Sequence, residues 1–252
     1  SDKEIVLTGD KEPYLFGLVL DQQHKPVRTP AEAEPFVAYL LDKKSATRVI
    51  DQDGTKKTAH YVTIAMVSNL PVKQADKYRP LVHQFAQQYR ISPSLVFAII
   101  RTESNFNPYA VSSAPAYGLM QLVPTSGGRE AYRKAKGQDV APSRDYLFDP
   151  ANNVELGAAY LNVLMFNQLE SVAHNVSREY CVIAAYNTGP SNVFRTFSRD
   201  RTAAVNQINS LQPAGVYDQL HQHLPYEETR HYLEKVTGYR KAFVSSSDIS
   251  NQ

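Results

Sequence analysis

One carboxylate in this sequence stands where a proton donor would be placed. Residues 92–121 read SPSLVFAIIRTESNFNPYAVSSAPAYGLMQ. Their first part predicts a helix, with Ser92 as N-cap and Pro93 at the first helical position, where a missing N–H costs nothing. Leu95, Val96, Ile99 and Ile100 recur at helical spacing and turn one face to a core. Steps of three or four residues along that face, from Val96 through Ile99 and Ile100, arrive at Glu103. Asn105, Asn107 and Pro108 then stop the helix, so Glu103 also lies near its negative pole. Burial and the helix dipole both disfavour an ionised carboxylate and raise its pKa. An acid that gives up a proton at neutral pH needs such surroundings. The bland alternative is a carboxylate at the helix edge that pairs with Arg101 or Arg90. The polar residues that follow weigh against it: Ser104, Asn105, Asn107, Ser112, Ser113, Tyr117 and Gln121 can fold over the carboxyl and offer hydroxyl and amide groups to a ligand. Gly118 allows close backbone approach, and Leu119-Met120 restores an apolar anchor.

Other chemistries find less support. Cys181 is the sole cysteine, which rules out a disulfide within the chain, and its neighbours Val182, Ile183 and Ala184 predict a buried, inert thiol. The seven histidines are scattered; His221 and His223 lack the i, i+4 spacing of a helical zinc pair, so no metal site is expected and no cofactor. There is no P-loop, dinucleotide fingerprint or nucleophile elbow. A net charge of +2 without a basic stripe argues against a nucleic-acid partner. The 16 Tyr and 10 Phe with no Trp suit a groove that holds sugars and suit ordinary packing equally.

The elements that must position Glu103 divide the chain. Apolar residues make up 42% and charged residues 21% of the 252, which excludes wholesale disorder and allows a small domain joined to a larger one. Residues 1–74 predict a small α+β segment: EIVLTG, YLFGLVL and His60 to Val67 as strands, turns at Gly9-Asp10 and Asp53-Gly54, and a helix over Ala31 to Lys43. From Pro71 onward strand signals nearly vanish. Helices are predicted over 76–90, 92–104, 124–136, 150–169, 178–186, 193–197, 202–211, 216–220 and 227–243, which makes 75–244 an all-α array. Residues 245–252 form a polar tail. The fold class is α+β, mainly helical. No run of 18 apolar residues crosses a membrane. A chain that starts at Ser1 without a signal-like segment reads as trimmed, with any lipid anchor outside it.

The residues then match a family. Glu103-Ser104-x-Phe106-Asn107-Pro108-x-Ala110-x-Ser112 followed by Gly118-Leu119-Met120-Gln121 resembles the signature of the soluble lytic transglycosylases, which share a fold with goose-type lysozyme. Ala185-Tyr186-Asn187-Thr188-Gly189 resembles that family's AYNxG motif, and Glu228-Thr229-Arg230-His231-Tyr232 its ETRxY motif. The three occur in the family's order across most of 75–245. Residues 142–150, PSRDYLFDP, resemble a lipid-anchored outer-membrane branch whose members carry an N-terminal domain. Pro115-Ala116 departs from the usual Gly-Ala, so the loop at 113–117 is expected to take a different shape.

The resemblance implies a lysozyme-like catalytic domain that cuts the β-1,4 bond between N-acetylmuramic acid and N-acetylglucosamine without water, leaving a 1,6-anhydro end. Glu103 would be acid first and base second, while the substrate's acetamido group stabilises the oxocarbenium-like centre. Ser112 and Gln121 would hold the acetamido and peptide portions. Tyr117, Tyr186, Asn187 and Tyr232 would border the cleft, with Tyr186 or Tyr232 hydrogen-bonded to Glu103. The implied partners are peptidoglycan glycan strands, with the membrane reached only through an N-terminal anchor absent from this chain. The protein would act as a monomer in the bacterial periplasm, attached to the outer membrane. Two alternatives stay open: a hydrolytic goose-type muramidase that positions water with Asp145 or Asp149, and a peptidoglycan-binding or scaffold protein without turnover.

Overall fold

In a computed structural model, residues 17–52, 55–66 and 70–243 are described. The chain forms two compact units, Ser1–Lys73 and Gln74–Gln252. EIVLTG, the turn at Asp53-Gly54 and the 245–252 tail lie outside the described residues, as does the start of YLFGLVL.

The first unit holds β1 (Val19–Leu20), α1 (Pro30–Lys43), β2 (Ala46–Gln52), β3 (Thr55–Tyr61) and β4 (Ala65–Met66). The helix predicted over 31–43 is present and opens on a capping box. Thr29 Oγ1 accepts from the Glu32 N–H while Glu32 Oε2 accepts from the Thr29 N–H. β2 and β3 make an antiparallel hairpin in which Ala46 faces Tyr61 and Gln52 faces Thr55. The strand expected from His60 to Val67 is corrected. Tyr61 ends the hairpin, and Ala65–Met66 pairs instead with Leu20 and Val19. Residues 62–64 between the two belong to no strand.

The second unit is helical, and its core is built on three buried helices. α2 (Leu70–Gln88) leads into α3 (Pro93–Ser104), α4 (Gly127–Lys136), α5 (Arg144–Phe148) and α6 (Pro150–Val163), which continues into a π-helical turn at Leu164–Gln168. α7 (Asn175–Thr188), α8 (Pro190–Phe197), α9 (Arg201–Ser210), α10 (Pro213–His223) and α11 (Glu227–Arg240) complete it. α3 is enclosed on all sides over Pro93–Ile100, so Phe97 and Ala98 are buried along with the apolar face predicted from spacing. α7 buries Cys181 through Ala185 completely, and burial pushes the Cys181 thiol up to about 12. α6 buries nine residues between Asn153 and Asn162. Among its polar members, Glu155 meets Lys136 Nζ at 2.7 Å and Tyr89 Oη at 3.4 Å, and Asn162 Nδ2 donates to the Tyr89 carbonyl at 2.9 Å while its Oδ1 is buried without a partner among the described residues. Ser92 has the extended backbone of an N-cap, yet its hydroxyl lies against Ser94 Oγ at 2.7 Å and caps no helix N–H.

Candidate active site

The C-terminus of α3 turns in a strained way. Asn105 and Phe106 take left-handed φ values of 48° and 63°, and Gln121 follows with 46°. Such positions are costly for side chains with a Cβ and persist only where the surroundings fix them. Phe106 is fixed by burial, stacked 6.5 Å from Tyr78 and edge-on 6.3 Å from Phe243. This turn ends α3 at Ser104 and leaves the Glu103 carboxyl in the helix's last turn.

The loop 105–122 returns to α3 and α6 through hydrogen bonds. Ser104 Oγ donates to the Leu119 carbonyl at 2.8 Å. Asn153 of α6, wholly buried, accepts from the Met120 N–H at 2.8 Å and donates Nδ2 to the carbonyls of Tyr117 and Leu147 at 2.9 and 2.8 Å. Gly118 has φ 79°, and a Cβ there would come within 2.3 Å of both Asn153 Nδ2 and the Leu147 carbonyl. Only glycine fits. Gly157 does the same for Met120, whose sulfur passes 2.0 Å from where a Cβ would sit. Asn153 and Gly157 are thus the residues that shape this loop, and sequence reasoning passed over both. The available signal was an asparagine and a glycine inside an otherwise apolar helical run.

Glu103 is bound from the far end of the chain. Tyr232 of α11 donates its hydroxyl to Glu103 Oε1 at 2.7 Å. Neither arginine considered from sequence pairs with it: Arg101 lies 4.0 Å over the Tyr239 ring and Arg90 lies 5.1 Å over Phe166. Burial pushes the Glu103 carboxyl up to about 7; the Tyr232 hydrogen bond pulls the other way, and the negative charge of Glu228 adds to the rise. A group in this state exchanges its proton readily near neutrality, as acid or as base. Tyr232 is itself buried and is held neutral by burial and by the Glu103 charge. The Glu228 side chain was not singled out from sequence; it is exposed on the first turn of α11.

A cleft of about 310 Å³ lies alongside, lined by Gln121, Ser126, Tyr160, Tyr186, Asn187 and Thr188 among others. Tyr186 links it to the acid, since its ring lines the cleft and its hydroxyl feels the Glu103 charge. The expected alternative, a Tyr186 bond to Glu103, is not made. Tyr186 Oη donates to the Met120 carbonyl at 2.9 Å, because that turn carbonyl has its own need of a donor. The Tyr186 ring packs 5.4 Å from Tyr160. Asn187 is reached by Thr229 of α11, whose Oγ1 donates to Asn187 Oδ1 at 2.6 Å. Gln121 Nε2 donates to the Ala110 and Gly118 carbonyls, each at 2.9 Å.

Of the seven residues expected from sequence, Gln121, Tyr186 and Asn187 meet at the cleft, and Glu103 and Tyr232 meet each other. Ser112 and Tyr117 do not line the cleft. Ser112 is exposed and turns its hydroxyl to the Ala114 carbonyl, two residues ahead, within the turn that contains Pro115. Tyr117 packs edge-on 5.8 Å from Phe148, with Arg144 over both rings. Asp149 caps α6 by accepting from the Asn152 N–H at 2.8 Å, and Asp145 is exposed in the first turn of α5. Among the described residues no group of three His, Cys, Asp or Glu side chains could hold a metal ion.

Comparison with known proteins shows the family of the chain. Residues 80–209 match the Transglycosylase SLT domain family, and residues 1–77 match the family described as membrane-bound lytic murein transglycosylase C, N-terminal domain. Proteins named membrane-bound lytic murein transglycosylase C from Yersinia enterocolitica (serotype O:8 / biotype 1B) and Serratia proteamaculans (strain 568) are 44% and 43% identical over 233 residues. Each alignment covers 92% of this chain, which spans 64% of the length of either relative. The crystal structure of an inactive mutant of the lytic transglycosylase Slt from Pseudomonas aeruginosa superimposes with a TM-score of 0.51 at 29% identity. That superposition covers 69% of this chain and 24% of the other. The match over residues 80–209 and the fold shared with the solved relative agree: this chain belongs to the SLT transglycosylase domain family.

Proposed function

We propose that the protein is a lytic transglycosylase that cleaves peptidoglycan glycan strands between N-acetylmuramic acid and N-acetylglucosamine, with Glu103 as its one acid–base. The observation that carries this reading is the Tyr232–Glu103 pair: a carboxyl raised to about 7, with one oxygen fixed by a neutral phenol. The solved relative was inactivated by a glutamate-to-glutamine exchange, which supports an acidic centre of this kind.

In this mechanism the Glu103 carboxyl gives its proton to the glycosidic oxygen as the C1–O bond breaks, and the acetamido carbonyl oxygen supports the electron-poor C1. The Glu103 carboxylate then takes the proton of the C6 hydroxyl while O6 closes on C1. Water is not consumed, the product ends in a 1,6-anhydro ring, and Glu103 is again protonated. Gln121, Tyr186 and Asn187 border the sugars, and Tyr232 holds the acid. Residues 75–244 form the catalytic domain, 1–74 an accessory segment and 245–252 a tail. The relatives are named membrane-bound, which supports membrane association in the cell envelope for this protein. Periplasmic placement, acting as a monomer, with an outer-membrane lipid anchor N-terminal to residue 1, belongs to the same proposal.

A second reading, hydrolysis, is favoured by one observation. Glu228 is close enough to act on Glu103 electrostatically and could activate water, whereas Asp149 is engaged as a helix cap. Mass spectrometry of murein sacculi digested with the protein separates the two. Anhydromuramic ends are expected, and reducing ends would assign the hydrolytic reaction.

A further inference from the structure

The two side-chain amides of the cleft have opposite polarity, and each is fixed by neighbours that sugar does not supply. Gln121 uses Nε2 on two backbone carbonyls, Ala110 and Gly118, which can only accept and so take the N–H end of the amide. Its Oε1 has no protein partner among the described residues, so Gln121 offers an acceptor. Asn187 is set the other way. Thr229 Oγ1 approaches Asn187 Oδ1 at 2.6 Å, a separation usual for O–H···O and shorter than N–H···O bonds run. The hydroxyl therefore donates, Oδ1 is engaged, and Nδ2 has no protein partner among the described residues. Both residues line the same cleft.

We infer that Thr229 is a positioning residue: it locks the Asn187 amide so that the cleft shows one N–H donor and one carbonyl acceptor, a pair matched to a secondary amide of the ligand. Thr229 is itself 1% exposed, on the first turn of α11 and three residues before Tyr232. One helical turn thus sets both the proton of Glu103 and the polarity of the binding amide. A secondary amide occurs in the N-acetyl group of a sugar and in a stem-peptide bond. The sugar acetamido rests on the function proposed above; the amide chemistry itself does not.

The test is binding, read without turnover on the full chain. Probes are an N-acetylated chitotetraose, its fully de-acetylated counterpart and a stem tetrapeptide, titrated against wild type, Thr229→Val and Thr229→Ser. Valine keeps the shape and removes the hydroxyl, so the Asn187 amide is free to turn; serine keeps the hydroxyl. Wild type and Thr229→Ser should prefer an amide-bearing probe over the de-acetylated one, the preference naming acetamido or peptide as source. Thr229→Val should lose roughly tenfold of that preference, the equivalent of about 1.4 kcal/mol. On murein the same variant should raise KM while the pH profile of kcat, set at Glu103, stays in place. Equal preference in Thr229→Val and wild type overturns the inference. So does a wild type without preference, or a Thr229→Val whose melting point falls and whose pH profile moves together. If murein is untouched by wild type but the preference follows the Thr229 hydroxyl, the proposed reaction fails and this assignment stands.

Discussion

Tyr232 and Glu103 are 129 residues apart in sequence and 2.7 Å apart in space. The bond is asymmetric in its consequences. A phenol donating to Oε1 favours the carboxylate, so it lowers the Glu103 pKa from where burial alone would put it. Replacing Tyr232 by Phe should therefore raise that pKa further above 7 and carry the basic limb of the pH–rate profile to higher pH. Turnover at the optimum should fall about tenfold as the carboxyl loses its fixed orientation. A pH series of murein solubilisation checks it, and an unmoved limb would refute the role.

Glu103→Gln retains the shape and the hydrogen bond while removing the exchangeable proton. Activity should fall by about two decades or more, the contribution typical of a general acid. Stability should move in the opposite sense. The Glu103 pKa is raised from 4.5 to about 7 in the folded state, so between those values the folded chain binds more protons than the unfolded one. Its stability therefore drops as pH rises through that window, by up to about 3 kcal/mol. Glu103→Gln removes the penalty. Its advantage over wild type should be small near pH 4.5 and largest above pH 7, which denaturant midpoints at the two pH values will read.

Asn153 satisfies three backbone groups at once, the Met120 N–H and the carbonyls of Tyr117 and Leu147. Asn153→Ala would leave the Met120 N–H and the Leu147 carbonyl without this partner, while the Tyr117 carbonyl keeps the Leu122 N–H at 3.2 Å, and a loss of about 2–4 kcal/mol is expected. Asn153→Asp should be no better, since it can accept from Met120 but would set a carboxyl against two carbonyl oxygens. Gly118→Ala meets the same clamp from the other side, with its Cβ driven into Asn153 and Leu147. Thermal melts of the three variants should all fall, and a Gly118→Ala melt equal to wild type would contradict the close packing.

What the sequence made legible here is periodicity and motif, and what it hid is the direction of individual polar atoms. Spacing placed Glu103 on a buried face because apolar residues at three- and four-residue steps leave little choice. Motif order brought Gln121, Tyr186, Asn187 and Tyr232 to one region, whereas it could not say which tyrosine held the acid. That depended on the Met120 carbonyl, which claims Tyr186. Ser112 was drawn outward by a turn closed at Ala114 beside Pro115, a local geometry that motif spacing does not encode. β2 went unpredicted since ATRVIDQ mixes charged and apolar residues, and its strand state is set by pairing with β3. α5 is five residues long, too short for a period to show.

Cys181 offers a probe of the core near α7. Its thiol is wholly buried and pushed up to about 12, so it is neither ionised nor reachable at neutral pH. A thiol reagent at pH 8 should leave native protein unlabelled over hours and label it fully once denaturant unfolds the second unit. Rapid labelling without denaturant would mean that α7 opens locally, and the wall of the cleft at Tyr186 and Asn187 would open with it.

Glu228 decides between the two reactions the site can support. Its charge raises the Glu103 pKa, so Glu228→Gln should lower that pKa and move the basic limb of the profile to lower pH, opposite in sign to Tyr232→Phe. For a transglycosylase nothing more is asked of Glu228, because the C6 hydroxyl replaces water and Glu103 is its own base. The maximal rate should then change by a few fold and the products should keep their anhydro ends. For a hydrolase Glu228 would hold the water, and the same substitution should cost two decades or more. Rate and product ends measured on one Glu228→Gln preparation therefore separate electrostatic tuning from water activation.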